Sequence, residues 1–400
     1  MSTAAELRGR RVVNARGYST KVGGSRLSPE VVSAMAEAAG MFARIEDLQA
    51  SAGAIIADAT GAQAGYVTAG AAAGLTMAAA AAIARLDPTI MNRLPDTAGI
   101  PSEIVLLRRH RNDYDHALRA AGARLVEVGF HDWTFEYELD AAIGPATVAL
   151  FYLGHDVTAN LSLADVARVA HRHGLPLIVD GSVALPPASN LRDLFAQGAD
   201  LVSFSGGKHI QGPQASGILA GRSDLITSVA LQHQDMDVYP DTWPARGLII
   251  DGTIVGPPHH GLGRGFKVGK EEIAGLVCAL RAYLERDFDA ERARLAAIAD
   301  TIVAGLNGSP GGASIPGIRA VRVEGDTPGR PGPHVDLHVD AEVTGISATE
   351  LIVRIQEGDP RVCTFEGQAF LGSVGLFPDA LTAAEADEVV RSVRGVLRGR

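Results

Sequence analysis

The sequence predicts an α/β fold in which a mostly parallel sheet flanked by helices is followed by a smaller α+β domain. Short apolar runs alternate with helical stretches between about residues 61 and 220, as expected for βαβ units. After about residue 256, a long helical stretch precedes two further strand candidates and a last helix. We therefore expect an N-terminal arm and helix over residues 1–50, a large domain over 51–260 and a small domain over 261–400.

The first elements surround a glycine-rich turn at residues 23–24. Val12–Asn14 is a strand candidate. The helix from Pro29 to about Met41 starts with a capping hydroxyl on Ser28 and a proline at its first position.

The strands of the large domain are short apolar runs bounded by turns, and Val148–Tyr152 is apolar throughout, as in strands buried on both faces. The predicted strands are Tyr66–Thr68, Ile104–Leu107, Arg124–Val128, Val148–Tyr152, Leu175–Asp180, Leu201–Ser205 and Ser216–Ala220. The predicted helices between them are Ala71–Leu86, Asp115–Ala121 and Leu163–His173.

In the small domain we predict a long helical stretch from about Lys270 to Asn307 and a final helix over Ala383–Leu397. Strand candidates lie at Arg319–Val323 and Val335–Val339. Glycine- and proline-rich loops are expected over Ser309–Gly317 and Asp326–Pro333.

Composition argues against several classes of function. The formal net charge of −10 disfavours a surface that tracks nucleic-acid phosphates. Cys278 and Cys363 form neither a disulfide framework nor a metal motif, which favours a reducing cytoplasm. The polar start over Met1–Arg11 predicts no signal peptide, and the apolar run Ala69–Ala84 is shorter than the roughly 18 residues of a membrane span.

Lys208 carries the sharpest chemical signal. It follows the apolar strand Leu201–Ser205 and two glycines, so it stands at the mouth of the predicted sheet. A lysine placed there is suited to react unprotonated, as a Schiff-base nucleophile. The hydroxyls of Ser203 and Ser205 are candidates to hold a phosphate. The alternative is a surface lysine in a glycine turn.

Asp180 ends the apolar strand that precedes the Lys208 strand along the chain. Both strand ends are expected at one crevice. Pyridoxal phosphate needs such a carboxylate to keep its ring nitrogen protonated. The alternative is a capping or metal-binding aspartate.

Thr68, Ala69, Gly70 and Ala71 join a strand to a helix through small residues. Helix N-termini bind phosphate through free backbone N–H groups, so this turn is a candidate phosphate site. The alternative is a tightly packed alanine and glycine helix.

His110 opens a polar segment after a strand and is a candidate for stacking on a cofactor ring or for moving protons. A solvated loop is the alternative. Neither His110 with His116 nor His259 with His260 has a third ligand at usable spacing, so no metal site is expected.

Taken together, motifs along most of the chain resemble the fold-type-I pyridoxal-phosphate enzymes, in the branch that contains selenocysteine synthase (L-seryl-tRNA selenium transferase) and D-glucosaminate-6-phosphate ammonia lyase. The residues that carry the resemblance are Val13–Gly17, Gly23–Ser25, Thr60–Ala62, Val67–Gly74, Tyr114–Arg119, Ala121–Ala123, Val126–Gly129, Ser203–Lys208, Gly212–Gln214, Gly217 and Lys267–Glu272.

The resemblance implies a seven-stranded sheet and assigns roles by position. Lys208 matches the Schiff-base lysine, Asp180 the partner of the ring nitrogen, and the turn at residues 68–71 the phosphate cradle. His110 matches a cofactor-facing position. Such enzymes build their sites at a dimer interface, so a homodimer or a higher homo-oligomer is expected, with Arg264 and Lys267 reaching the neighbouring site.

Two departures favour the ammonia-lyase-like members. Gly207 stands where selenocysteine synthases have aspartate, and the short start leaves little room for a tRNA-binding region. A third departure concerns the substrate. Arg361 directly follows Pro360, whereas family members place an arginine some residues later, so Arg361 and Arg16 are candidate substrate residues.

The resulting hypothesis is an α,β-elimination from a β-hydroxy amino acid or amino sugar acid to a 2-oxo acid and ammonia. Lys208 would remove the α-proton while Asp180 keeps the cofactor ring protonated. The same cofactor also supports racemisation, β-replacement and aldol cleavage. The rival hypotheses are an L-seryl-tRNA selenium transferase and a cofactor-free structural relative.

Overall fold

The computed structural model describes residues 9–233, 239–308, 314–325 and 332–398. The chain forms two compact units: a large unit of residues 27–285, and a small unit of residues 1–26 with 286–400. The divisions between these units lie after residues 26 and 285. The domain boundaries expected after residues 50 and 260 stay predictions.

The strands are numbered in chain order. They are β1 (Val12–Ala15), β2 (Ala64–Thr68), β3 (Glu103–Leu107), β4 (Arg124–Val128), β5 (Thr147–Leu153), β6 (Leu177–Asp180), β7 (Leu201–Ser205), β8 (Gly217–Gly221), β9 (Ile318–Val323), β10 (His334–Val339), β11 (Arg361–Thr364) and β12 (Ser373–Leu376).

The α-helices are numbered in the same way. They are α1 (Pro29–Ala39), α2 (Ile45–Thr60), α3 (Ala71–Ala84), α4 (Pro88–Met91), α5 (His116–Ala120), α6 (Glu136–Ala142), α7 (Leu163–Arg172), α8 (Asn190–Ala196), α9 (Ser223–His233), α10 (Gly247–Ile250), α11 (Lys270–Leu284), α12 (Phe288–Asn307), α13 (Ala341–Thr344), α14 (Ala348–Glu357) and α15 (Ala383–Arg398).

The large unit contains a seven-stranded sheet in the order β2-β8-β7-β6-β5-β3-β4. Its neighbours from β7 to β4 are parallel, whereas β8 is antiparallel to both β7 and β2. The predicted mostly parallel sheet is therefore confirmed. Because β8 is antiparallel to both of its neighbours, β2 and β7 run in the same direction. They therefore end at the same edge of the sheet, together with β6, β5 and β3.

Helix α3 lies in the core of the large unit. Nine of its 14 residues are alanine, and Met77 to Ala84 are buried. Small side chains allow close approach to the sheet. At Gly74, a Cβ would lie 2.3 Å from the Ser203 hydroxyl of β7. The helix predicted over Ala71–Leu86 is thus packed directly on the strands that end in Asp180 and Ser205.

The small unit contains a three-stranded antiparallel sheet in the order β12-β10-β9 and a parallel pair of β1 with β11. Buried aliphatic residues of α12, α14 and α15 pack with this sheet in one core. The α+β character expected from the sequence is present.

The helical stretch expected from about Lys270 to Asn307 consists of two helices, α11 and α12. The Asp287 side chain accepts a hydrogen bond from the Ala290 amide at 2.9 Å and caps the second helix. An N-cap residue is non-helical, so its presence separates the two. Among the described residues, no helix combines the length and apolar character needed to cross a membrane. Residues 309–313 and 326–331 of the two predicted loops lie outside the described ranges.

Candidate active site

Lys208 follows β7, directly after a turn in which two positions require glycine. A Cβ on Gly206 would lie 2.3 Å from the Ser216 hydroxyl, and one on Gly207 would lie 2.7 Å from the Gln214 Cα. The Gly206 amide also donates to the Ser216 carbonyl at 2.9 Å. The two glycines therefore allow the chain to pass tightly against residues 213–216, which fixes the position of the Lys208 backbone.

Lys208 and Asp180 lie within electrostatic range of each other. Burial lowers the pKa of the Lys208 amine, and the Asp180 carboxylate raises it in part. Asp180 ends β6, and its register partner on β7 is Ser203. The two residues that the sequence singled out at separate strand ends are thus brought together at one edge of the sheet.

The Asp180 carboxylate is held rigidly. The residue is 4% exposed, and Oδ1 accepts a hydrogen bond from the Ser182 amide at 2.8 Å. The carbonyl of Asp180 accepts from the Gly154 amide at 2.9 Å. A buried carboxylate with a fixed orientation is suited to face one particular protonated group of a ligand.

The turn after β2 presents an uncapped helix N-terminus. Gly70 has a φ of 126° and precedes the 14-residue helix α3, which has no side-chain cap. A Cβ on Gly70 would meet nothing within 4 Å, so there is open space beside the turn. The first amides of α3 are therefore available to an anion.

Two hydroxyls, those of Thr68 and Ser203, support this turn. Thr68 Oγ1 donates to the Gly70 carbonyl at 3.0 Å, and Ser203 Oγ donates to the Ala71 carbonyl at 2.9 Å. Both residues are fully buried, whereas Ser205 is partly exposed. Direct contacts with an anion in this conformation would come from the backbone amides rather than from Thr68 or Ser203.

Gly217 explains how the turn reaches the sheet edge. It pairs with Thr68 on one side and with Ser205 on the other. A Cβ there would lie 2.6 Å from the Gly70 carbonyl carbon and 2.9 Å from the Ala71 nitrogen. Only glycine allows β8 to approach the turn this closely.

His110 is fully buried after β3, and its Nε2 lies 3.2 Å from Asp156 Oδ2. Its ring meets that of Tyr152 edge-on at 4.4 Å. Burial lowers the pKa of His110 to about 4, although Asp156 raises it in part. The ring has no exposed face in this structure, so contact with a cofactor would require a rearrangement, and the predicted role stays a prediction.

His155 is a further residue near Asp180 that was not predicted from the sequence. It follows β5, beside the strand that carries Asp180. Burial lowers its pKa, Asp180 and Asp156 raise it, and Lys208 lowers it, so the imidazole shares one electrostatic environment with the two predicted residues. The signal that could have found it is the polar sequence directly after the apolar strand predicted at residues 148–152.

The remaining candidates lie elsewhere. Arg264 and Lys267 line a cavity of about 300 Å³ in the large unit, together with Tyr66, His233 and Trp243. Their role at a neighbouring site stays a prediction.

Arg16 and Arg361 belong to the small unit. The Arg16 guanidinium donates to the Thr364 carbonyl at 3.1 Å and lies 3.7 Å from the Glu366 carboxylate, while Arg361 is exposed at the start of β11. Their substrate-binding roles also stay predictions. Within the described ranges, no group of three or more histidine, cysteine, aspartate or glutamate side chains is placed to hold a metal.

The residues at this edge fit pyridoxal phosphate. A partly buried amine with a lowered pKa, a fixed carboxylate and an uncapped helix start match the aldehyde, the ring nitrogen and the phosphate of that molecule.

Known proteins support the same cofactor. The D-glucosaminate-6-phosphate ammonia lyase of Salmonella typhimurium is 32% identical over 394 residues, which cover 97% of this chain and 95% of that enzyme. The chain belongs to this family of pyridoxal-phosphate enzymes. A family model described as L-seryl-tRNA selenium transferase also matches residues 114–236.

One solved structure and one further related enzyme show what the family shares in fold and where its reactions differ. The solved structure of a D-glucosaminate-6-phosphate ammonia-lyase has a TM-score of 0.80 and 30% identity, covering 100% of this chain and 99% of that one. A 5'-C-glycyluridine monooxygenase-decarboxylase from Streptomyces is 32% identical, covering 96% of this chain and 90% of that enzyme. The family thus shares the fold and includes more than one reaction.

Proposed function

We propose that the protein is a lyase that eliminates a β-substituent from a β-hydroxy amino acid or an amino sugar acid, giving a 2-oxo acid and ammonia. The observation that carries the proposal is that the partly buried Lys208 amine lies within electrostatic range of the Asp180 carboxylate at one sheet edge. The similarity to ammonia lyases over nearly the whole chain supports the reaction class.

When bound, pyridoxal phosphate supplies an electrophilic aldehyde and an electron-accepting ring. The first amides of α3 would hold its phosphate, because they lack a side-chain cap and there is open space beside Gly70. Thr68 and Ser203 would keep that turn in shape through their hydrogen bonds to its carbonyls.

Lys208 would hold the cofactor as a Schiff base and later take the proton from the α-carbon of the substrate. Burial favours its neutral form, which is the form that acts as nucleophile and base. Asp180 would hold a proton on the ring nitrogen, since a buried carboxylate favours a positive charge beside it. Lys208 would therefore remove the proton, and Asp180 would stabilise the positive charge of the ring.

We further propose that the enzyme is a homodimer or a higher homo-oligomer in which Arg264 and Lys267 reach the neighbouring site. Both line one cavity on the large unit.

The expected partner is a small amino-acid-type molecule rather than a nucleic acid, which agrees with the net charge of −10. A reducing cytoplasm agrees with the free thiols of Cys278 and Cys363.

A complementation experiment tests the shared site. Lys208→Ala and Arg264→Ala would each be inactive alone, and mixed after unfolding and refolding they should regain part of the activity. That recovery requires one intact site assembled from two chains. A mixture that stays as inactive as its parents would contradict a shared site.

The reaction is tested with the holoenzyme and a panel of D- and L-β-hydroxy amino acids and amino sugar acids. Release of a 2-oxo acid and ammonia in equal amounts is expected for one class. Oxygen uptake with release of carbon dioxide would instead indicate a reaction of the monooxygenase-decarboxylase kind and overturn the lyase proposal. A gel shift with seryl-tRNA would favour the selenium transferase.

A further inference from the structure

His155 occupies a defined place at the carboxyl edge of the sheet. Its strand β5 pairs with β6 so that Leu153 is opposite Asp180, and the Gly154 amide donates to the Asp180 carbonyl at 2.9 Å. A Cβ on Gly154 would lie 2.9 Å from Val179 Cγ1, so the chain is pressed against β6 just before His155. The backbone of His155 is therefore anchored to the strand that carries Asp180.

The imidazole of His155 has an unmet hydrogen-bonding group. Its Nδ1 is buried and has no hydrogen-bond partner among the described residues. Buried polar groups in native proteins are nearly always paired, and an unpaired one calls for a partner. A ligand is the natural partner here, because Asp180 and Lys208 lie close enough to act on the charge of the same ring.

His110 offers a useful contrast. Its Nδ1 is also unpaired, but the residue is fully buried and its Nε2 already contacts Asp156. His155 is only partly buried as a residue, so a ligand at the sheet edge can reach it. Of these two histidines, His155 is therefore the one that retains exposed surface beside its unpaired nitrogen.

We propose that His155 is a ligand-binding residue whose Nδ1–H donates a hydrogen bond to an anionic oxygen of the molecule held between Asp180 and Lys208. That oxygen belongs either to the ring of the cofactor or to the carboxylate of the substrate. The inference rests on the proposed function, because both candidates presuppose a pyridoxal-phosphate site. The titratable and charged groups that act on His155 are Asp180, Asp156 and Lys208.

The side chains of asparagine and glutamine allow the two ring nitrogens to be tested separately. His155→Asn places a polar atom near the position of Nδ1, His155→Gln places one near Nε2, and His155→Phe keeps the ring without either nitrogen. The exposed His259 gives a matched control, His259→Gln, in the same unit.

The first readout needs no turnover. Apoprotein is titrated with pyridoxal phosphate, and both the dissociation constant and the pH midpoint of the absorbance band are recorded. Loss of one hydrogen bond to a charged oxygen weakens binding by roughly tenfold or more. If the oxygen is the cofactor's, His155→Phe and His155→Gln should show this loss and a shifted midpoint, while His155→Asn and His259→Gln resemble the wild type.

The second readout is the substrate concentration that half-saturates the enzyme. If the oxygen is the substrate's carboxylate, His155→Phe and His155→Gln should raise KM roughly tenfold and leave the cofactor titration unchanged. If neither quantity differs between His155→Phe and the wild type, the inference is wrong. A wild-type protein that binds no pyridoxal phosphate would instead refute the proposed function, so the two failures are distinguishable.

Discussion

The Asp180 carboxylate at the end of β6 acts directly on the Lys208 amine that follows β7. Burial alone would lower the pKa of Lys208 further, and Asp180 offsets part of that effect. One residue thus sets how readily the other gives up its proton. This relationship leads to the first two predictions.

The rate at which apoprotein combines with pyridoxal phosphate should rise with pH, with a midpoint below the ordinary lysine pKa of about 10.4. The reason is that burial lowers the pKa of Lys208, so the neutral amine forms at lower pH. Absorbance stopped-flow measurements over a pH series give the midpoint. A midpoint at or above the value of free lysine would contradict the burial of this amine.

Asp180→Asn should lower that midpoint further, because the substitution removes the charge that raises the pKa of Lys208. It should also reduce turnover by about 10²- to 10⁴-fold, the usual range for loss of one acid–base group. Asparagine keeps Oδ1 as the acceptor for the Ser182 amide, so the fold should survive. Turnover within a few-fold of the wild type would exclude the proposed role of Asp180.

Gly217→Ala should weaken the binding of pyridoxal phosphate by roughly tenfold or more, because the added methyl group forces the Gly70–Ala71 turn away from β8. Equilibrium titration of the apoprotein measures the effect. Gly247→Ala is the matched control, since a Cβ there meets nothing within 4 Å. Equal affinities of the two variants would show that the turn does not bind the phosphate.

His110 should make the protein less stable in mild acid. Burial lowers its pKa from 6.5 to about 4, so the unfolded chain takes up the proton first as the pH falls. The stabilisation is complete above about pH 6.5 and is lost towards pH 4, and about 2 kcal/mol should disappear between about pH 7 and pH 5.

The comparison variant for that loss is His110→Gln, which keeps a polar side chain but cannot titrate. Urea unfolding of both proteins at the two pH values isolates the contribution of His110 from that of the other histidines. The free energy of unfolding of His110→Gln should fall less on acidification. An identical fall in both proteins would mean that His110 is not the group responsible.

Much of the fold could be predicted because parallel strands buried on both faces appear as uninterrupted apolar runs. Val148–Tyr152 is such a run, and it lies within the observed strand β5, Thr147–Leu153. The division of Lys270–Asn307 into two helices was missed because the helical pattern continues past the Asp287 cap.

Only some residues of the candidate site could be predicted from the sequence. Lys208 and Asp180 stand out because each is a charged residue at the end of an apolar strand. His155 did not, because its closeness to Asp180 depends on β5 being the neighbour of β6 in the sheet order. The support that Ser203 gives to Ala71 joins residues 132 positions apart, and no local pattern encodes it.

The most direct test is to reduce the purified holoenzyme with borohydride and map the labelled peptide. The chain has only four lysines, Lys21, Lys208, Lys267 and Lys270. The pyridoxyl group is expected on Lys208, with no stable adduct in Lys208→Ala and a normal one in Lys270→Ala. A label on another lysine, or a stable adduct that persists in Lys208→Ala, would contradict the account.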